Sequence, residues 1–170
     1  CLTICIGNLN VGGTGKTPTT IALAQHFLKK GLQVHVVSRG YKGKFQGTFL
    51  VDPQKHKSDE VGDEPLLMSE FTSVWVSNKR KNGIAAAENA GAQIVLLDDG
   101  FQDPSFHKDF SLIVVDGEKG FGNKKCMPAG PLRENIVQGF KRADALVIVG
   151  QRIYKFDAFP NHLKIIRSTL

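Results

Sequence analysis

Cysteine is scarce in this chain: three residues in 170, at Cys1, Cys5 and Cys126. An odd set without C-x-x-C spacing argues against a disulfide framework or a zinc site and fits a reducing compartment. No apolar run approaches the ~20 residues needed to cross a bilayer. Nor does a charged stretch, an apolar core and a cleavage site open the chain as in a secretory signal. Runs of about five or more basic residues, as in nucleic-acid arms, are absent. The basic residues come instead as Lys29-Lys30, Lys42 with Lys44, Lys55 with Lys57, Lys79-Arg80-Lys81, Lys124-Lys125 and Lys141-Arg142. Each group reads as a solvated face, and no nucleic-acid partner is expected. His26, His35, His56, His107 and His162 show no metal-ligand spacing. Internal repeats, low-complexity tracts and linkers are also missing, so residues 1–170 read as one domain.

What is present is an ordinary globular composition, 41% apolar and 22% charged, which excludes wholesale disorder. Lys and Arg number 22 against 16 Asp and Glu, a net charge of +6. Such a balance suits an anionic surface or a phosphorylated substrate, or simply solubility. The chain starts at Cys1 and is strand-like by Leu2–Ile6, so a fragment with sequence upstream is expected.

Apolar runs alternate with helix-period segments, the pattern of an α/β fold. Strands are predicted at 2–7, 33–38, 48–51, 73–76, 94–97, 112–115, 145–149 and 163–166. Helices are predicted at 17–30, 64–71, 81–90 and 132–143. In the first helix Ile21, Ala24, Phe27 and Leu28 share one side, with Gly31 as the stop. The strand at 94–97 has no polar alternation, as in a parallel sheet covered on both faces. Residues 39–57 read as a polar loop region around the short strand, and 117–131, with four further glycines and two prolines, as a long structured loop.

Between the first strand and first helix lies Asn10-Val11-Gly12-Gly13-Thr14-Gly15-Lys16-Thr17, a G-x-x-x-x-G-K-[ST] P-loop with Asn10 at the first glycine position. Glycines let successive N–H groups turn inward around phosphate oxygens. Lys16 brings a cation to the β/γ-phosphates, Thr17 a hydroxyl to Mg²⁺, and the helix start its dipole. Asn tolerates left-handed backbone, so Asn10 is a mild departure. Asp98-Asp99, closing the apolar run at 94–97, has the form of a Walker B strand whose carboxylates meet Mg²⁺, with Asp98 the first choice. A plain Asp-Asp-Gly turn is the alternative.

No N-K-x-D motif marks guanine recognition, so ATP is favoured over GTP. Val11 stands where partitioning ATPases carry a second lysine, which favours a kinase over a dimerising switch. Five blocks then occur in order: Gly7 to Pro18, Val37-Ser38-Arg39-Gly40-Tyr41, Val61-Gly62-Asp63-Glu64-Pro65, Leu97-Asp98-Asp99-Gly100-Phe101-Gln102 and Pro128-Ala129-Gly130-Pro131-Leu132-Arg133-Glu134. Together they resemble the tetraacyldisaccharide 4′-kinase family of lipid A biosynthesis, from about residue 2 to residue 150. The resemblance implies a P-loop NTPase fold with a mostly parallel sheet and helices on both faces. It implies ATP and Mg²⁺ as cofactors. The substrate it implies is an anionic lipid, a tetraacylated glucosamine disaccharide 1-phosphate, phosphorylated on its 4′-hydroxyl at the cytoplasmic face of the bacterial inner membrane.

The family's upstream membrane helix and C-terminal α/β domain have no counterpart in these residues, and no obligate protein partner is inferred. The resemblance matches the family's carboxylate base to Asp63. From the residues alone, Asp63 would sooner be a helix cap. Lys16, Arg133 and Glu134 join it as catalytic candidates, although Arg133 and Glu134 could equally open a helix. Ser38, Arg39 and Tyr41 follow a strand end where substrate contacts are expected, and Phe101-Gln102 reads as a buttress for the Walker B turn. The alternatives are a nucleotide-dependent switch, or a truncated ATP-binding domain without activity.

Overall fold

The structure is a computed structural model that describes residues 1–41, 43–44 and 46–169; Lys42 of the Lys42/Lys44 pair lies outside the described residues. Among the described residues, eight strands and five helices follow in the order β1 (Leu2–Gly7), α1 (Lys16–Lys29), β2 (Val34–Ser38), β3 (Thr48–Leu50), α2 (Ser58–Val61), α3 (Asp63–Ser69), β4 (Ser73–Ser77), α4 (Arg80–Asn89), β5 (Ile94–Asp98), β6 (Phe110–Asp116), α5 (Ile136–Lys141), β7 (Ala145–Val149) and β8 (Lys164–Ser168). The strands form one sheet in the order β3-β4-β2-β5-β1-β6-β7-β8. Every pairing is parallel except β3 with β4 at one edge.

Period-two alternation sorts the strand side chains onto two cores. Ile4, Ile6, Val34, Val36, Ile94, Leu96, Leu112 and Val114 pack on one face with Ile21 and Phe27 of α1 and Leu66 of α3. Cys5, Val37, Val95, Leu97, Ile113 and Val115 pack on the other with Ile84 and Ala87 of α4 and Phe140 of α5. Helices therefore cover both faces, and β2, β5 and β7 are buried along their whole length. β8 is exposed for four of its five residues, and Lys164 and Arg167 keep that edge polar.

Several boundaries depart from the pattern. Helix 132–143 is predicted, but α5 starts only at Ile136 because Leu132 and Arg133 spend their backbone groups elsewhere. Leu132 forms β-bridges with Asn10 and Cys126, and the Arg133 N–H donates to the Leu9 carbonyl at 2.7 Å. Asn135 then caps the shortened helix through its side chain to the Val137 N–H. Leu28, expected on the buried side of α1, is 36% exposed, whereas Ala24 and Thr20 are fully covered. The four-residue α2 was not visible as a periodic segment, since one turn shows no period.

β1 lies where the strand order reverses: the chain first builds outward through β2, and later through β6 and β7 on the other side. Open parallel sheets hold ligands at such a point, beyond the carboxyl ends of the strands. The glycine loop leaves the sheet there.

Candidate active site

The loop from Asn8 to Gly15 joins β1 to α1 with Gly12 at φ 106° and Gly15 at φ 88°, values that side chains rarely adopt. A Cβ placed on Gly12 or Gly13 would meet nothing within 4 Å, so this backbone faces open space. That open concavity is what a phosphate group requires. Asn8, fully buried, shapes it from below by donating to the Gly12 carbonyl at 3.2 Å and to Thr14 Oγ at 3.1 Å.

Asn10 is explained differently from the expectation. It is not among the left-handed residues; it is 8% exposed and donates through Nδ2 to the Gly120 carbonyl at 2.9 Å. Its side chain bridges two loops, which a glycine could not do. The neighbouring Val11 N–H donates to the Pro131 carbonyl at 2.7 Å. The P-loop and the Pro128–Arg133 segment thus brace each other.

Asp98 ends β5 and is 2% exposed. Its Oδ2 accepts from Ser38 Oγ at 3.1 Å, while its Oδ1 is buried without a hydrogen-bond partner. Burial, then the nearby Glu64 and Asp99 carboxylates, push the Asp98 carboxyl up to about 6, with Lys16 opposing. Asp99 follows with φ 53°, a left-handed conformation unusual for a residue with a side chain. Its carboxylate meets Arg133 Nη1 at 2.9 and 3.1 Å and Lys16 Nζ at 3.7 Å.

Phe101 buttresses this turn as expected. It is 1% exposed and lies so close under β1 that a Cβ on Gly7 would come within 2.3 Å of it. Gln102 donates to the Asn8 carbonyl at 2.9 Å and to Glu134 Oε1 at 3.0 Å, tying the Walker turn to both loops. Glu134 also pairs with Arg142, whose guanidinium lies 4.7 Å from the centre of the Phe101 ring.

These elements enclose a cleft of about 840 Å³ lined by Gly12, Gly13, Lys16, Arg39, Tyr41, Glu64, Asp99 and Arg133, among others. It unites three of the five sequence blocks with the PLRE end of a fourth and the Glu64 of a fifth. Ser38, expected among substrate contacts, is 4% exposed and spends its hydroxyl on Asp98, so it stands behind the cleft wall. Thr17 occupies the second position of α1, half-buried. Asp63 is the exposed first residue of α3; Gly62 precedes it as the cap residue, and no side-chain capping bond forms. The cap role that the residues alone favoured for Asp63 is therefore not taken.

Arg80 was overlooked. The Lys79-Arg80-Lys81 group reads as a solvated face, yet Arg80 is 4% exposed and donates to the carbonyls of Asp98 and Asp99. Its place directly ahead of an Ala-rich helix, at a strand's carboxyl end, was the available signal. Arg142 likewise leaves its basic pair to hold Glu134. A second cavity of about 330 Å³, with an aromatic wall of Phe121, Phe140, Tyr154, Phe156 and Phe159, lies past Asn135 on the β6–β7 side.

The site fits its cofactors on these observations. The donor set is oxygen-only, and an orphaned buried carboxylate oxygen stands at the strand end, as Mg²⁺ chemistry requires. Mg²⁺ is commonly held by one or two carboxylates together with substrate phosphates, a demand that Asp98 and Asp99 can meet.

The family model described as tetraacyldisaccharide-1-P 4′-kinase matches residues 1–169. A tetraacyldisaccharide 4′-kinase of Dinoroseobacter shibae is 56% identical over 147 residues, covering 86% of this chain and 44% of that protein. The Rhodospirillum rubrum protein of the same name is 49% identical over 162 residues, 95% of this chain and 49% of its own length. This chain thus spans about half the length of the curated relatives it matches. Among solved structures, LpxK of Aquifex aeolicus, crystallised in complex with ATP, superposes with a TM-score of 0.82 at 35% identity, over 98% of this chain and 53% of that one. With the family model matched over residues 1–169, the chain belongs to the tetraacyldisaccharide-1-P 4′-kinase family.

Proposed function

We propose that this chain supplies the nucleotide and phosphoryl-transfer site of an ATP-dependent kinase acting on the 4′-hydroxyl of tetraacyldisaccharide 1-phosphate. The observation that carries the reading is the meeting of the open glycine backbone, Lys16, Asp99 and Arg133 on one cleft. Phosphoryl transfer needs charge neutralisation and an aligned nucleophile more than covalent help from the protein. Backbone N–H groups from Gly12 to Thr17 would cradle the phosphates, with Lys16 at the β/γ position. Val11, expected in the cradle, spends its N–H on the Pro131 carbonyl and Asn10 bridges to Leu132, so these two brace the loop instead. Thr17, Asp98 and Asp99 would hold Mg²⁺, which when bound offsets the phosphate charge.

Asp63 would orient the 4′-hydroxyl and accept its proton as the oxygen bonds to the γ-phosphorus and the bond to the bridging oxygen breaks, releasing ADP. Arg133 would stabilise the charge that develops. Glu134 keeps Gln102 and Arg142 in place beside it. Arg39 and Tyr41 line the far side of the cleft, where a phosphorylated lipid head group would meet a guanidinium; Ser38 supports them through Asp98. The reaction would take place at the cytoplasmic face of the inner membrane; the net charge of +6 and exposed basic groups at 29–30, 55, 57, 79, 81, 124–125 and 141 suit an anionic membrane surface. No helix among the described residues is long and apolar enough to cross a membrane.

The test is transfer of label from γ-labelled ATP to tetraacyldisaccharide 1-phosphate by the full-length protein. Labelled 4′-phosphate is expected, and Lys16→Ala should cut the rate by about a hundredfold or more. Nucleotide-dependent dimerisation without label in the lipid would replace the kinase reading with a switch.

A further inference from the structure

We infer that Arg80 is a positioning residue for the metal-facing turn: its guanidinium holds Asp98 and Asp99 in the backbone shape that aims their carboxylates. This rests on the nucleotide and Mg²⁺ part of the proposed function, not on the identity of the acceptor.

Two features bring Arg80 to the turn. It is the first residue of α4, which follows directly from β4. Three residues on, Gly83 lets the helix press against the sheet; a Cβ there would lie 2.6 Å from Val37 Cγ1 and 3.0 Å from Ser77 Cβ. The start of α4 is therefore held low, with its first side chain running under the end of β5. The arginine passes beside Gly100, where a Cβ would lie in ordinary contact with Nε at 3.4 Å.

The contacts are directional. Arg80 Nη2 donates to the Asp98 carbonyl at 3.2 Å and to the Asp99 carbonyl at 2.6 Å. Nη1 reaches Asp103 Oδ2 at 3.4 Å. Along a strand, successive carbonyls point to opposite sides. Both can meet one guanidinium only where the chain leaves that alternation, and it does so at Asp99, whose φ is 53°. A left-handed residue with a side chain is disfavoured relative to ordinary backbone. Charge-assisted bonds to the carbonyls on both sides of the strained bond offset that cost and select this conformer. The same conformer turns the Asp99 carboxylate to Lys16 and Arg133, while Asp98 stays in line with Ser38.

Arg80 borders the cleft, but its guanidinium is turned to the Asp98 and Asp99 carbonyls. Only 3% of its side chain is exposed, and its paired nitrogens are spent on the turn and on Asp103. Lysine cannot replace it, because a compact ammonium lacks the planar fork that spans two carbonyls.

The experiment measures Mn²⁺ affinity by electron paramagnetic resonance in the presence of ATP, and ATP affinity without metal, for full-length wild type, Arg80→Lys and Asp103→Ala. Outer-shell partners of metal sites typically carry about 10- to 100-fold in affinity. Arg80→Lys should weaken Mn²⁺ binding about tenfold while ATP affinity without metal stays within about twofold. A purely structural arginine would lower the melting temperature and leave the metal affinity unchanged, which would overturn the inference. Should Arg80→Lys fail to fold, Asp103→Ala decides: about threefold weaker Mn²⁺ binding is expected from a loosened guanidinium, and an unchanged value overturns the assignment. Wild type that binds Mn²⁺ with ATP but labels no lipid would sink the kinase reading and leave Arg80 in its role. Wild type that binds no Mn²⁺ with ATP would sink both.

Discussion

Asp98 is a carboxylate kept out of water with one oxygen unpaired. Its folded pKa of about 6 against 3.8 for the free group means that folding favours the protonated form. The cost of the charge is absent below about pH 4, grows between 4 and 6, and is complete above that range. Replacing Asp98 with Asn removes the titration and keeps an acceptor for Ser38. In the absence of metal, Asp98→Asn should therefore match wild type in melting temperature near pH 4 and exceed it by several degrees near pH 8. Thermal denaturation at both pH values measures this, and a gap that is the same at both would assign the effect to something other than the charge. If Asp98 holds Mg²⁺ as proposed, the variant should at the same time lose Mg²⁺-dependent activity, because the destabilising charge would be the one that meets the cation.

At the scale of elements, the bond between α4 and the sheet is a close approach without slack. Gly83→Ala places a methyl group 2.6 Å from Val37, so the helix must lift or the valine must move. A loss of about 1–3 kcal/mol is expected from such overpacking, read as a lower denaturant midpoint. Unchanged stability would mean that α4 can shift freely on β2 and β4. The strands, by contrast with such details, were legible because each carries an uninterrupted apolar run: 94–97 and 145–149 appear in the sequence almost as they appear in the fold. Helix α5 was overestimated because apolar spacing cannot reveal that the Leu132 and Arg133 backbones are already bonded to the P-loop. The glycine loop, Lys16 and the two aspartates were legible from local spacing, since each belongs to a motif contained in one short segment. Arg80 was not, because its partners are carbonyls 18 and 19 residues away, and carbonyls leave no trace in a side-chain pattern.

Over the whole molecule, the described basic residues that read as solvated faces are mostly exposed; Arg80 is buried, and Arg142 is exposed but paired with Glu134. A net charge of +6 spread over an exposed surface gives weak, long-range attraction to an anionic bilayer. Full-length protein should cosediment with vesicles rich in phosphatidylglycerol more than with phosphatidylcholine vesicles. The anionic preference should fade between about 0.05 and 0.5 M salt as the Debye length shortens. Equal binding to both lipids at low salt would remove charge from the account. The cleft and the aromatic cavity are separated by the segment from Arg133 to Asn135, which borders both.

The mutual bracing of the phosphate loop and the Pro128–Arg133 segment also sets a timetable. Val11 and Leu9 emerge from the ribosome early, yet the Pro131 and Arg133 groups that secure them come more than a hundred residues later. At about 5–20 residues per second that interval is on the order of ten seconds. For most of it the first strand lacks both neighbours, since β5 ends only at Asp98 and β6 at Asp116, and it stays an apolar segment in need of shelter. ATP thus cannot template the early folding of its own binding loop; it can only reward a chain that has already been made at least as far as Arg133.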